Sequence, residues 1–485
     1  MPAGLRHGIT GAACAALVAC AGDGSTVIAR EVRGSVLRPQ LSDAQALAYT
    51  RQRVLAAAGH AGALVADGWE PLADLVITGR APPAFHYRVD PAAADGRTVF
   101  ATVQAAVNRA HGDAALGALA VSRVYIGIAP GSYHEVVYVP AGPIPITLWG
   151  QGADPAAVRI HHALDAGLPV AAYIAQHAVV YEAAGLHADI AAFFRACSRQ
   201  LTLNTGCTPV MWVKRDGFQA RNLTVDNGHD PDRGDSPLQP QARHQAVAFK
   251  SEGADRVHLE QVRLLGHQDT LYLTTTAADR TVRSFIHRSL VAGDVDFIFG
   301  PTTAYFQSSE IRWVGGRRQL ASGYIAAPST NLGIPYGFVF EECDFTHEGG
   351  SLAQAGGVHL ARQWFTGATC SPYGDKAAQC AIVPGGAANT GDAISTLTLE
   401  TVGKMAVLNS RLGSHLKTAS PWAPWQAERS ARNHRPVQTS SDDFWHLLQA
   451  TGKNPAALGY RRPDPAEPYL AEYRNSGPGK GASAP

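Results

Sequence analysis

FQARNLTVDN (218–227), VHLEQVRLLG (257–266), SFIHRSLVAG (284–293), AYFQSSEIRW (304–313), FVFEECDFTH (338–347) and MAVLNSRLGS (405–414) resemble one another. Each is short, rich in aliphatic and aromatic residues and bounded by turn formers, which reads as strand. Aligning Leu223, Val262, Leu290, Ile311, Phe345 and Leu412 gives steps of 39, 28, 21, 34 and 67 residues, or one or more coils of about 20 to 34 residues each. A strand unit that cannot bury its apolar side chains alone must stack on the next. The expected fold is therefore all-β, a parallel β-helix with long surface loops and short helices at its ends. An antiparallel sandwich would show tight Asn-Gly or Asp-Gly hairpins, and the connections here are longer and irregular.

Composition agrees. Forty-nine glycines and 30 prolines among 485 residues suit short strands and frequent turns, and 46% apolar content excludes a disordered chain. Lys plus Arg (41) almost cancels Asp plus Glu (40), so the broad positive field of a nucleic-acid binder is missing.

At the N-terminus, Arg6 and His7 precede an apolar run from Ile9 to Ala19, which reads as an export signal too short to span a membrane. Leu17-Val18-Ala19-Cys20 resembles a bacterial lipobox. Residues 1–20 are thus expected to be a signal peptide with Cys20 as the lipidated residue and the lipid as the only membrane link. Ala21 points, by resemblance to lipoprotein sorting rules, to the outer membrane, with simple secretion as the alternative. Residues 21–84 read as a lead-in containing a helical stretch from Ser42 to Ala58. A helix over Thr98 to Ala110 and a strand over Arg123 to Ala129 follow, and residues 476–485 are expected to be a disordered tail.

Beyond Cys14 and Cys20, Cys197/Cys207 and Cys370/Cys380 each bracket a polar, glycine-containing loop, the pattern of local disulfides in an oxidising compartment. Cys343 is left as a buried thiol. No cysteine or histidine pair has the close spacing of a zinc motif, so no metal is expected.

Two acids stand out. Asp296 lies within Val295-Asp296-Phe297-Ile298-Phe299, where burying a carboxylate costs several kcal/mol unless it is paired. Asp269 precedes a β-rich run 27 residues earlier, about one coil away, and coils stack at about 4.8 Å. Both side chains could face one groove from neighbouring rungs. Two carboxylates that close do not both ionise cheaply, so one stays protonated while the other is charged. Taken alone, each would more often be a turn residue.

Five motifs occur in order: Gly131-Ser132-Tyr133-His134-Glu135, Gln245-Ala246-Val247-Ala248-Phe249, Gln268-Asp269-Thr270-Leu271-Tyr272, Asp296-Phe297-Ile298-Phe299-Gly300 and Leu360-Ala361-Arg362-Gln363-Trp364. Over about residues 85 to 475 the chain resembles the pectin methylesterases, carbohydrate esterase family 8. Its long inserts and its ending Glu472-Tyr473-Arg474-Asn475 look most like the bacterial lipoprotein branch. The resemblance implies a right-handed parallel β-helix over 85–475, with an insert at 151–209. It implies hydrolysis of galacturonate methyl esters in pectin or methylated oligogalacturonides by a monomer without cofactors, releasing methanol.

Each site residue then takes an implied role. Asp296 attacks the ester carbonyl, and Gln245 and Gln268 donate hydrogen bonds to the oxyanion. Asp269 gives its proton to the departing methanol and then activates water. Arg362 orients Asp296, Trp364 offers a flat wall to a sugar ring, and Phe297 and Tyr272 line the same groove. The first motif, far upstream of the acids, reads as structural.

The last motif departs from the family's Leu-Gly-Arg-Pro-Trp at Ala361 and Gln363. An acyl-coenzyme A thioesterase or another esterase lipoprotein on the same scaffold is the alternative within the branch. A polygalacturonase-like hydrolase would protonate a glycosidic oxygen instead. A pectate-lyase-like enzyme would need a calcium-binding carboxylate cluster, and a non-catalytic polysaccharide-binding envelope protein would be free to lose the acids.

Overall fold

Seven non-glycine residues, Asn222, Gln261, Arg288, Ser308, Glu342, Asn409 and Arg474, share φ between 49° and 54°. They sit at the same corner of successive coils in a computed structural model of the chain. The structure describes residues 38–481, apart from 80, 233–243, 316, 318–319, 321, 375–376, 386–388 and 426–432. The export signal, Cys20, residues 482–485 and part of the 227–244 stretch lie outside the described residues.

Each corner joins a strand of one parallel sheet to a strand of a second, and a third sheet completes the coil. The eleven-stranded sheet runs from Val99–Phe100 at one edge to Leu470–Tyr473 at the other, and two eight-stranded sheets complete the solenoid. All pairings within these three sheets are parallel. The interior is filled by residues of equal register. Ala220, Leu259, Ile286, Phe306, Phe340 and Val407 stack in one ladder, and Val225, Leu264, Val291, Ile311, Phe345 and Leu412 in another. All twelve belong to one core. This corrects the sequence alignment. Val262 is level with Ser289, and Leu290 is level with Arg263 and Glu310, so the repeat slips by one residue at Leu290 and again at Ile311. The slip arises because the position after the corner is apolar in early coils and polar later.

That position forms its own stack. Val262 N–H donates to Ser289 Oγ at 3.0 Å and Ser289 N–H to Ser309 Oγ at 3.1 Å. Cys343 N–H donates to Ser410 Oγ at 3.0 Å and Ser410 N–H to Asn475 Oδ1 at 3.0 Å. Cys343 is thus a serine equivalent in a buried polar column, and burial pushes its thiol up to about 12. Cys343→Ser is expected to change stability by less than about 1 kcal/mol, read as the thermal midpoint, because a hydroxyl already fills this slot on the neighbouring coils.

The ends and inserts follow local chemistry. The expected helix at Thr98 to Ala110 forms over Val103–Ala115, with Thr102 as its cap. Glu135 accepts the N–H groups of Val103 and Gln104 at 2.9 and 2.8 Å, which gives the first sequence motif its structural role. The Arg123–Ala129 strand forms as Val124–Ile128. Not all helices lie at the ends. Val170–Tyr181 and Ala188–Cys197 lie in the 151–209 insert, packing Tyr173, Phe193 and Phe194 onto Tyr138 and Trp212. Cys197 is bonded to Cys207 and Cys370 to Cys380.

The lead-in is not a segment apart from the β-helix. The expected single helix from Ser42 to Ala58 is three short helical pieces, Asp43–Ala46, Leu47–Tyr49 and Arg51–Val54, and Ala57–His60 is strand. This segment runs lengthwise over the outer face of the long sheet, against the chain direction of the coils. Arg38 pairs with Glu472 at 2.6 Å, and Arg51 Nη1 donates to Gln307 at 2.7 Å. Asp67 pairs with Arg283 at 2.6 Å, and Asp74 accepts from Gln219 at 2.8 Å. At the other terminus, Ser476 N–H donates to Ser410 O at 2.8 Å and Pro478–Lys480 forms a helical turn. Residues 476–481 therefore continue the last coil, correcting the disordered tail expected there.

Candidate active site

One eight-stranded sheet carries the acids. Its strands Met211–Val213, Phe249–Glu252, Leu271–Thr274, Val295–Gly300, Gly323–Pro328 and Val358–Arg362 are neighbours in that order. Inward residues Met211, Phe249, Leu271, Ile298, Ala326 and Ala361 are in register, as are outward residues Trp212, Lys250, Tyr272, Phe299 and Ala327. Extending the Leu271/Ile298 pairing back by two residues sets Asp269 against Asp296. Asp269 N–H donates to the Val295 carbonyl at 3.1 Å, tying the two rungs together.

Both acids adopt left-handed backbone conformations, φ 69° at Asp269 and 49° at Asp296, the kind of local strain that concentrates at functional sites. At Asp296 the register also shifts. That bulge resets the alternation of the strand, so Phe297 and Ile298 both turn inward into the core. Phe297, expected in the substrate groove, is fully buried in the β-helix interior; its place on the groove is taken by Phe299. Gly300 sits at φ 129°, where a Cβ would fall 1.8 Å from the Leu273 carbonyl oxygen.

Arg362 lies two rungs beyond Asp296 and reaches back to it across the intervening strand Gly323–Pro328. Its Nε and Nη2 donate to the two carboxylate oxygens at 2.8 and 2.6 Å, a charge-assisted bidentate pair. The guanidinium lies 3.9 Å from the Tyr324 ring centroid and 4.2 Å from that of Trp425, which fixes its plane. Asp269 is nine-tenths buried. Desolvation, followed by the charge of Asp296, pushes its carboxyl well above the ordinary range, with Arg362 opposing. The site thus holds one paired carboxylate beside one carboxyl disposed to keep its proton, the combination that supplies a nucleophile and an acid together.

Gln245 and Gln268 enter on the two preceding rungs. Ala246 N–H donates to the Gln268 carbonyl at 3.0 Å, placing the two residues on neighbouring turns. Gln245 Oε1 is buried without a hydrogen-bond partner among the described residues. Tyr272 stacks on Phe299 at 4.1 Å and 9°, and Phe299 meets Trp364 edge-on at 6.1 Å. Val247, Ala327 and Trp425 complete this apolar wall. Gln363, where the family pattern has proline, is buried. It donates to Gly403 O at 3.0 Å and Gln438 O at 2.7 Å, and accepts Gln438 N–H at 2.8 Å. The departure therefore anchors the segment carrying Arg362 and Trp364 to the C-terminal region.

Sequence reasoning missed Asp294, His267 and Arg317 behind the acids. Asp294 is fully buried, 3.3 Å from His267 and 3.0 Å from Arg317. The argument from burial that singled out Asp296 applied equally to Asp294, two residues before it.

The family model described as Pectinesterase matches residues 185–366. The "Pectinesterase B" of Dickeya dadantii is 34% identical over 424 residues, covering 85% of this chain and 88% of that protein. The chain belongs to the pectinesterase family. It is a carboxylic ester hydrolase of that family. A pectinesterase of Ralstonia nicotianae is 32% identical over 86% of this chain and 91% of its own length. The "Putative acyl-CoA thioester hydrolase YbhC" of Escherichia coli is 33% identical over 67% of this chain and 72% of its own. The crystal structure of YbhC superposes with a TM-score of 0.67 at 26% identity, covering 91% of this chain and 95% of that one. The rice weevil pectin methyl esterase gives 0.63 at 23% identity, covering 93% and 99%. These likenesses agree with the parallel β-helix read from the strand register. No helix among the described residues is long and apolar enough to cross a membrane.

Proposed function

We propose that this pectinesterase hydrolyses C6 methyl esters of galacturonate in pectin or methylated oligogalacturonides through an acyl-enzyme on Asp296. The observation that carries the reading is the bidentate Arg362–Asp296 pair beside a buried Asp269. Arg362 pairs with Asp296 through both carboxylate oxygens and aims it. Its oxygen attacks the ester carbonyl, and the oxyanion takes hydrogen bonds from the amides of Gln245 and Gln268. Asp269 passes its proton to the methoxy oxygen and methanol leaves. The resulting Asp269 carboxylate takes a proton from water, whose oxygen attacks the acyl carbon; Asp296 is released and Asp269 is again protonated. Tyr272, Phe299 and Trp364 form the wall for the sugar rings. The protein acts as an exported monomer held to the outer membrane only by lipid on Cys20, and its two disulfides suit that oxidising compartment.

Methanol release from highly methylated pectin tests the reading. Hydrolysis of acyl-coenzyme A with no methanol from pectin would sink the substrate assignment. Trp364→Ala is expected to raise KM about tenfold with kcat little changed, as loss of a stacking wall costs about 1 kcal/mol or more. A fall confined to kcat would place Trp364 elsewhere in the mechanism.

Asp269 predicts a pH signature. Its folded carboxyl holds its proton to higher pH than in the unfolded chain. Its stabilising contribution is therefore complete below about pH 4 and is lost as pH rises through the folded value. Asp269→Asn removes that loss. The variant is expected to melt higher than wild type at neutral pH, with the difference shrinking in acid, while hydrolysing ester far more slowly. Parallel melting curves at all pH values would contradict the assignment of the retained proton to Asp269.

A further inference from the structure

We propose that Asp165, His229 and His244 form a site for one zinc-class divalent cation that ties the 151–209 insert to the chain entering Gln245. One donor atom from each residue lies within 4.8 Å of the other two. His229 Nε2 and His244 Nδ1 are 3.4 Å apart, and His244 Nδ1 is 3.8 Å from Asp165 Oδ2. Donors bound at about 2.0 to 2.2 Å around a tetrahedral ion lie about 3.3 to 3.6 Å apart, so the His229–His244 separation already fits and the His244–Asp165 separation is slightly long. Two imidazole nitrogens and one carboxylate oxygen are a zinc-type set that leaves a fourth position for water.

The three donors come from different parts of the chain and are already held together. Asp165 is buried and its Oδ2 accepts the Gly167 N–H at 3.2 Å. Ala166 N–H donates to the Gln245 carbonyl at 2.9 Å, next to His244. Asn227, two residues before His229, is buried. It accepts Leu164 N–H at 3.1 Å and donates to the Leu164 and Val247 carbonyls at 2.8 and 3.0 Å. A pre-arranged backbone of this kind lowers the ordering cost of ligation. The ion would fix the chain entering Gln245.

A second cluster, His111, His187 and Asp189, has tighter donor spacing, with His111 Nε2 3.1 Å from His187 Nδ1 and 3.3 Å from Asp189. Yet Arg215, which can only donate, gives a hydrogen bond to His111 Nδ1 at 2.8 Å. That bond leaves the proton of the neutral ring on Nε2, facing the other two residues, so this group is a hydrogen-bonded cluster and not a ligand set. His111 and His187 therefore serve as the comparison variants in the test.

The test uses the full-length protein stripped with chelator, then loaded with zinc chloride or cobalt chloride and desalted. Wild type is expected to retain about one zinc per chain and, with cobalt, to show visible absorption of a four-coordinate N/O site. His229→Ala and His244→Ala should lose both signals, and His111→Ala and His187→Ala should keep them. His229→Gln preserves size and polarity, and circular dichroism reports whether it folds; folded protein without metal supports the site. Metal retained by His229→Gln, metal lost instead from the His187 variant, or no metal on wild type overturns the proposal. Ester hydrolysis by wild type is measured alongside, so failure of the metal site is distinguishable from failure of the catalytic reading.

Discussion

Asp296→Asn is expected to lower kcat for methyl ester hydrolysis by about 10⁴- to 10⁶-fold, the cost of removing a nucleophile from a catalytic unit that acts together. The fold should tolerate the change. Asparagine is nearly isosteric, and it is among the few residues that accept the left-handed backbone found at Asp296. The charge is lost, however, and Arg362 then faces Asp269 as the remaining nearby carboxylate. Because the charge of Asp296 helps hold the Asp269 proton in place, that proton should be released at lower pH in the variant. Methanol assay gives the first effect and carboxyl titration by NMR the second. Substantial turnover by folded Asp296→Asn would remove Asp296 from the nucleophile's role.

Arg362→Ala is expected to destabilise the protein at neutral pH by about 3 to 5 kcal/mol, because it leaves a largely buried carboxylate without its counter-charge. Only 7% of the Asp296 side chain and 16% of the Arg362 side chain are exposed, so solvent repairs little of the loss. Activity falls as well, since Asp296 loses the two-pronged partner that aims it. Arg362→Lys keeps a charge but neither the two-pronged geometry nor the flat face held between Tyr324 and Trp425. It should recover more stability than activity. Denaturant unfolding together with the methanol assay separates these effects, and a wild-type midpoint for Arg362→Ala would refute them.

The coils were legible because stacking imposes repeated apolar positions, and the acids because buried carboxylates need partners. The alignment failed at Leu290, where a polar column displaces the apolar residue by one place. Phe297 was assigned to the groove because strand alternation does not foresee the bulge at Asp296. Trp425 gave no signal at all. Its place beside Arg362 depends on how far the chain travels between rungs, which local pattern does not encode. The part played by Gln363 was hidden for the same reason, since its partners Gly403 and Gln438 are remote in sequence. His229 and His244 fall outside any short ligand motif, being 15 residues apart and joined to Asp165 only by folding.

A plain solenoid touches only its nearest neighbours, so it can fray from either end one turn at a time. The lead-in changes that arithmetic. Its Arg38 is tied to Glu472, its middle to Gln307 and Arg283, and Asp74 to Gln219, so one ribbon bridges turns that never touch each other. Fraying at the C-terminal edge must detach Arg38 and the residues after it, and a gap in the middle must tear the ribbon. Loss of structure should therefore be shared along the whole length. The ribbon is also made before the turns it covers and docks after them, because Arg38 finds its partner Glu472 only on the strand at the far edge of the long sheet. The chain then completes its longest loop only after the turns beneath it have formed.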